Sequence, residues 1–216
     1  MKYNFKKILF SSLVITLLAA TGSIYLEPVF AHAAATATDS VIVTLNVDAG
    51  ITITSPPDTI MSTSLGVLNN TAIATTTWNV KTNSETGYLM TVAASTNPAM
   101  KISSTQFIND FATTSTPTLW SALPNGRAEF GYSAFGTDVA TGTFGNDTSC
   151  GATSTPSTVL KYIGFTTSPS ITIASRSATT TTSGVDTNIC YAVQQKGVYV
   201  GSGVYTATIT ATATTQ

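Results

Sequence analysis

The chain has 216 residues, a formal net charge of −1 and 9% charged side chains, against roughly 25% in an average soluble protein. Threonine fills the gap at roughly a fifth of all residues, while aromatic and β-branched residues recur with a period of two, which argues against disorder. The sequence has no basic patch, lysine–arginine stripe or aromatic–basic interleaving, so nucleic acid is excluded as an expected partner.

The first readable element is an export leader. Lys2, Lys6 and Lys7 make a positive start, and residues 8–20 (ILFSSLVITLLAA) form an apolar run of signal-peptide length, short for a bilayer span. Small-residue cleavage patterns follow at Val29-Phe30-Ala31 and Ala31-His32-Ala33. Glu27-Pro28 interrupts the hydrophobicity ahead of them, which favours cleavage near Ala34 over a retained N-terminal anchor. The expected organisation is a signal peptide over 1–33 and one domain over 34–216, secreted or on the cell surface, with no membrane association after cleavage. Without the leader, six basic and nine acidic residues remain, a net charge of −3.

Beyond the leader, strand patterns follow one another: 40–48 (SVIVTLNVD), 51–55, 75–82, 87–95, 128–136, 158–165, 170–175, 188–196 and the closing run 203–214. In the first, Val41, Val43, Leu45 and Val47 make one apolar face, with Thr44, Asn46 and Asp48 opposite. Trp78 and Val80, then Tyr88, Met90 and Val92, repeat the alternation around the turn 83–87, which predicts a hairpin. Residues 109–127 read as a crossover inside one domain, with a short helix near 106–111, rather than a linker between two. Many short strands bounded by Gly, Pro, Asn and Ser imply an all-β fold, an antiparallel β-sandwich of immunoglobulin-like or jelly-roll-like type. The closing run has Tyr205, Ala207, Ile209, Ala211 and Ala213 on one side and threonines on the other. It is expected to pair inside its own domain with the first strand region, core side inward; the alternative is an edge awaiting a partner.

The chemistry-bearing residues are sparse. His32, the only histidine, lies at the cleavage site, which leaves a mature chain without a Ser-His-Asp relay or the usual zinc ligands. G-x-S-x-G, P-loop and dinucleotide fingerprints are missing, as is a serine three residues ahead of any mature lysine. No catalytic residue, metal or cofactor is therefore expected. The two cysteines, Cys150 and Cys190, are expected to form a disulfide in an exported chain. Asp138, Asn146 and Asp147 in a glycine-rich loop are a weak calcium candidate that lacks the D-x-D-x-D-G order. Glu85, Asp110, Glu129 and Asp138 are read as solvated singletons. Lys161 shares strand parity with Val159, Ile163 and Phe165; snorkelling to solvent is preferred over an isopeptide cross-link beside Glu129.

Residues 75–95 (TTTWNVKTNSETGYLMTVAAS) and the closing GVYTATITATAT resemble the layout of secreted bacterial surface β-sandwich proteins of the WxL-domain type. Tyr205, Ile209 and Thr210 match the late Y-x-x-x-[LIV]-T motif. Trp78-Asn79-Val80 carries valine where that family has leucine, and the second tryptophan after Thr210 is missing, so Trp78 is read as a core residue alongside Tyr88. The closing strand also resembles those of spore-coat-U-like and chaperone-usher pilin subunits, whose early cysteine is replaced here by Gly50 and Ile51. The first resemblance implies a non-catalytic structural or adhesive protein, wall- or surface-associated, with surface glycans or other surface proteins as partners. The second implies a subunit that self-associates by strand donation. A carbohydrate-binding or carbohydrate-active module is the third expectation.

Overall fold

The computed structural model describes residues 36–216 apart from 69, 112–114, 122, 169 and 170. The leader expected over 1–33, with its expected cleavage site and His32, lies outside the described residues. Contacts divide the chain into Met1–Asn46 and Val47–Gln216. In the first unit, residues 36–46 are exposed and without regular secondary structure. The strand expected over 40–48 is therefore not formed, although Val41, Val43, Leu45 and Val47 share one parity.

The second unit is all-β. Strand β1 (Ile51–Thr54) pairs with β2 (Thr71–Thr82), and β2 with the central β12 (Val185–Lys196), which pairs in turn with β7 (Arg127–Gly136). Strand β5 (Phe107–Asp110) joins β7 in parallel, and β4 (Met100–Lys101) closes the six-stranded order β1-β2-β12-β7-β5-β4. A second sheet has the order β11-β3-β13, from Thr172–Arg176, Tyr88–Ala94 and Ile209–Thr215. Two small ladders remain: β6 (Thr118–Leu119) with β10 (Lys161–Tyr162), and β8 (Gly151–Ala152) with β9 (Thr155–Pro156). Among the described residues one short helix, α1 (Thr141–Phe144), buries Phe144. The helix expected near 106–111 is instead β5, held by Phe111 N–H donating to Phe130 O.

Residue parity explains where the cores sit. Trp78 and Val80 of β2, Ile189, Tyr191 and Val193 of β12, and Phe130, Tyr132 and Ala134 of β7 point to the side that also receives Tyr88, Met90, Val92 and Ile173 from the second sheet. The opposite parity of the same central strands, with Ile73, Cys190 and Ala192, meets Phe111, Leu123, Cys150, Leu160 and Tyr162 in a second cluster. The middle of the large sheet is thus covered on both faces, which is why the central residues of β7 and β12 are buried at consecutive positions.

The hairpin expected across 83–87 is not one. Strands β2 and β3 both form, yet they belong to different sheets, because the edges of β2 are occupied by β1 and β12. The turn is a corner between sheets. Thr82 Oγ1 donates to Gly50 O at 2.8 Å, and Asn83 Nδ2 donates to Asp48 O at 2.9 Å. Gly87 has φ +77, and a Cβ there would lie 1.9 Å from Arg176 O, so only glycine fits this approach. The even-numbered apolar residues on both sides of the corner therefore face each other across one core. The closing strand likewise pairs inside its own unit, but with β3 rather than with the first strand region, since β1 belongs to the other sheet.

Candidate functional site

The two cysteines are joined, Cys150 to Cys190, with Cα atoms 5.3 Å apart. Cys190 is fully buried on the central strand, and Cys150 sits in the excursion that covers the outer face of the large sheet. Thr75 Oγ1 donates to Cys150 Sγ at 2.8 Å, and Tyr162 O–H donates to Cys150 O at 3.3 Å. Burial holds the Tyr162 phenol up at about 12. Phe111 stacks on Trp120 with centroids 4.4 Å apart, and Trp120 meets Tyr162 edge to face. The bridge therefore ties this aromatic flap to the middle of the fold.

Tyr88 and Asp138 meet in a partly buried network. Tyr88 O–H donates to Asp138 Oδ2 at 2.9 Å, and Arg176 Nη1 donates to Asp138 Oδ1 at 3.2 Å. Burial first, and the neighbouring carboxylate second, raise the Tyr88 phenol well above its ordinary value. Asp138 is thus no solvated singleton; it is a cross-sheet anchor. Asp147 is held elsewhere, accepting from Ser157 O–H and from Thr148 N–H, and the Ser157 bond leads the causes that lower its carboxyl. Two of the three calcium candidates are thus held in different bonding groups, Asp138 across the sheets and Asp147 within its own loop. Among the described residues no group of three or more His, Cys, Asp or Glu side chains is placed to hold a metal ion.

Lys161 and Glu129 are not partners. Lys161 Nζ donates to Gly142 O at 2.9 Å, and Arg127 donates to Glu129 at 3.2 Å. Beside Lys161 lies an open depression of about 450 Å³ bordered by Gly142, Thr143, Ile171 and Thr172. Asp110, also read as a singleton, is half-buried, and desolvation raises its carboxyl to about 6 against backbone bonds from Ala99 and Phe165.

The motif residues of the closing strand sit on a sheet edge. Tyr205, Ala207, Ile209, Ala211 and Ala213 are half-buried against the main core, and Thr206, Thr208, Thr210, Thr212 and Thr214 are exposed. Outside the core, Thr172, Thr91 and Thr212 form one row across β11, β3 and β13. Trp78, from the other resemblance motif, is buried at 8% exposure. The residues that the sequence reading missed are Arg176 and Gln195. Gln195 is 1% exposed; its Nε2 donates to Gly66 O at 2.9 Å and its Oε1 accepts from Val200 N–H at 3.0 Å. The only signal for it is its odd-numbered parity with Ile189, Tyr191 and Val193 on the inward side of β12.

No family model matches the chain, and no match was found among the curated proteins or the solved structures.

Proposed function

We propose that this chain is a secreted, non-catalytic cell-surface protein with a structural or adhesive role, its leader spanning 1–33 and a single β-sandwich spanning 34–216. The observation that carries the reading is the Cys150–Cys190 bridge, because disulfides persist in oxidising compartments outside the cytosol. It agrees with the leader read from the sequence. The sandwich reading is supported by a six-stranded and a three-stranded sheet that share one core, with antiparallel pairing everywhere except between β5 and β7.

The non-catalytic part rests on how the polar side chains are used. Tyr88, Asp138 and Arg176 satisfy one another, and Asp147 and Ser157 do the same in their loop. Such closed networks position chain rather than meet substrate. What faces water is a neutral hydroxyl surface, the row of Thr172, Thr91 and Thr212 with the exposed threonines of β13. Surface glycans and other surface proteins are the partners whose hydroxyl and amide groups suit it.

Protease shaving of intact cells, paired with sedimentation of the purified protein with isolated cell walls, tests this. The expected result is peptides from this chain in the shaved fraction and protein in the wall pellet. Protein protected from protease until lysis, and absent from the pellet, would overturn it.

A further inference from the structure

We propose that Thr71 and Gln194 join in an intramolecular ester cross-link between β2 and β12, with the Glu129 carboxylate handling the proton. The inference stands on strand register and side-chain contacts, and it goes beyond the surface role without depending on it.

Three chemically matched residues lie in one row across the large sheet. Thr71 of β2 is opposite Gln194 of β12, and Gln194 is opposite Glu129 of β7. Directly opposite residues hold their Cβ atoms about 4.5–5.5 Å apart, so neighbouring side chains in the row adjoin. Gln194 Nε2 donates to Thr71 Oγ1 at 3.2 Å. The amide carbon is one bond from that nitrogen. A rotation of the terminal amide therefore brings the hydroxyl oxygen to the roughly 3–3.5 Å from which attack proceeds. On the other side of Gln194, Glu129 is 8% exposed and held by Arg127, whose Nη1 donates to Glu129 Oε1 at 3.2 Å.

The Gln194 side chain is poorly served as an amide. Its Oε1 is buried and has no hydrogen-bond partner among the described residues. An orphaned amide oxygen keeps its full desolvation penalty, whereas an ester carbonyl, a weaker acceptor, loses less in the same place. The surroundings suit the product. Ile73, Ala192 and Cys190, next along the same face, belong to the second cluster under the aromatic flap. That apolar flank shields an ester from hydrolysis, while Thr71 and Gln194 are half-buried at its border, where a small leaving group can escape.

The step balances without an oxidant or cofactor. Thr71 Oγ1 attacks the Gln194 amide carbon, and an O–C bond forms as the C–N bond breaks. The hydroxyl proton passes through the Glu129 carboxylate to the departing nitrogen, and ammonia leaves. The link ties positions 123 residues apart, against 40 for the disulfide. Gln194 and Cys190 share one face of β12, so the central strand is fixed covalently to β2 as well as to the flap.

The test is the intact mass of the purified full chain. The expected mass is the encoded one, after any leader removal and disulfide formation, less one ammonia. Digestion should yield a branched peptide joining the segments around Thr71 and Gln194, which alkaline hydroxylamine opens. Thr71→Val should restore the encoded mass with an unchanged circular-dichroism spectrum. Glu129→Gln should slow ammonia loss by roughly a hundredfold or more. A wild-type chain at its encoded mass, ammonia loss that persists in Thr71→Val, or a branch at another pair of residues would overturn the proposal. Ammonia loss at the wild-type rate in Glu129→Gln would overturn the role given to that carboxylate. The wild-type mass decides the matter even where a variant fails to fold. Ammonia loss is expected in protein made with or without export, so its failure and the failure of the surface reading are read apart.

Discussion

Ile209 packs against the main core from the edge strand, and its half-burial sets the scale of its contribution. A fully buried isoleucine truncated to alanine costs about 2–5 kcal/mol, so Ile209→Ala is expected to cost about 1–2.5 kcal/mol. Thr208→Ala, on the exposed side, should stay within about 0.5 kcal/mol. Urea melts of the two variants check the difference, and equal losses would contradict the assigned facing. Gln195 is a stronger case, because its side chain satisfies both Gly66 O and Val200 N–H in the interior. Gln195→Ala leaves both unpaired and should cost about 2–4 kcal/mol. Asp110 supplies a pH signature. Its folded carboxyl holds a proton up to about 6, while the unfolded one releases it near about 4. The folded state then binds more protons in that window, so stability falls as pH rises from about 4 to 6. Asp110→Asn should flatten that slope in denaturant melts taken between those pH values; an unchanged slope would assign the effect to another group.

At the scale of elements, β3 is the strand on which the smaller sheet depends, since β11 and β13 each pair with it on opposite edges. Deleting residues after Ser202 removes β13 and uncovers Met90, Val92 and Ala94. The truncated chain should lose its cooperative thermal transition; a folded truncation with a sharp midpoint would contradict the assignment of β13 to the core. Strand positions were readable where alternation and burial coincide, as in β2 with Trp78 and Val80 and β3 with Tyr88, Met90 and Val92. Pairing was not readable. Alternation reports which side chains face a core, and β2 and β3 face the same core whether they lie side by side or in opposed sheets. The segment 41–47 shows the same limit from the other side, because it has a strand-like parity yet no regular secondary structure. Strand β5 was missed because Phe107 and Ile108 are followed at once by Asn109 and Asp110, and only its parallel neighbour β7 makes those residues a strand. Of the site, the cysteine pair was legible because only two thiols exist. The Tyr88–Asp138–Arg176 network was not, because its members are 38 to 50 positions from Asp138 and meet only through the fold.

For the whole molecule, the disulfide connects the central strand to the flap built from residues that include Trp120, Leu160 and Tyr162. Closing a loop of 40 residues stabilises by about 4 kcal/mol in the chain-entropy account, less any strain. The bridge, the leader read from the sequence and the neutral threonine surface support the proposal that this protein lies outside the cell. The intact mass of the protein recovered from the cell surface without reductant tests that placement most directly. The account predicts a chain beginning near Ala34, two hydrogens lighter than its reduced form and unlabelled by a thiol reagent after denaturation. A chain retaining Met1, or one that takes up two thiol labels, would contradict it.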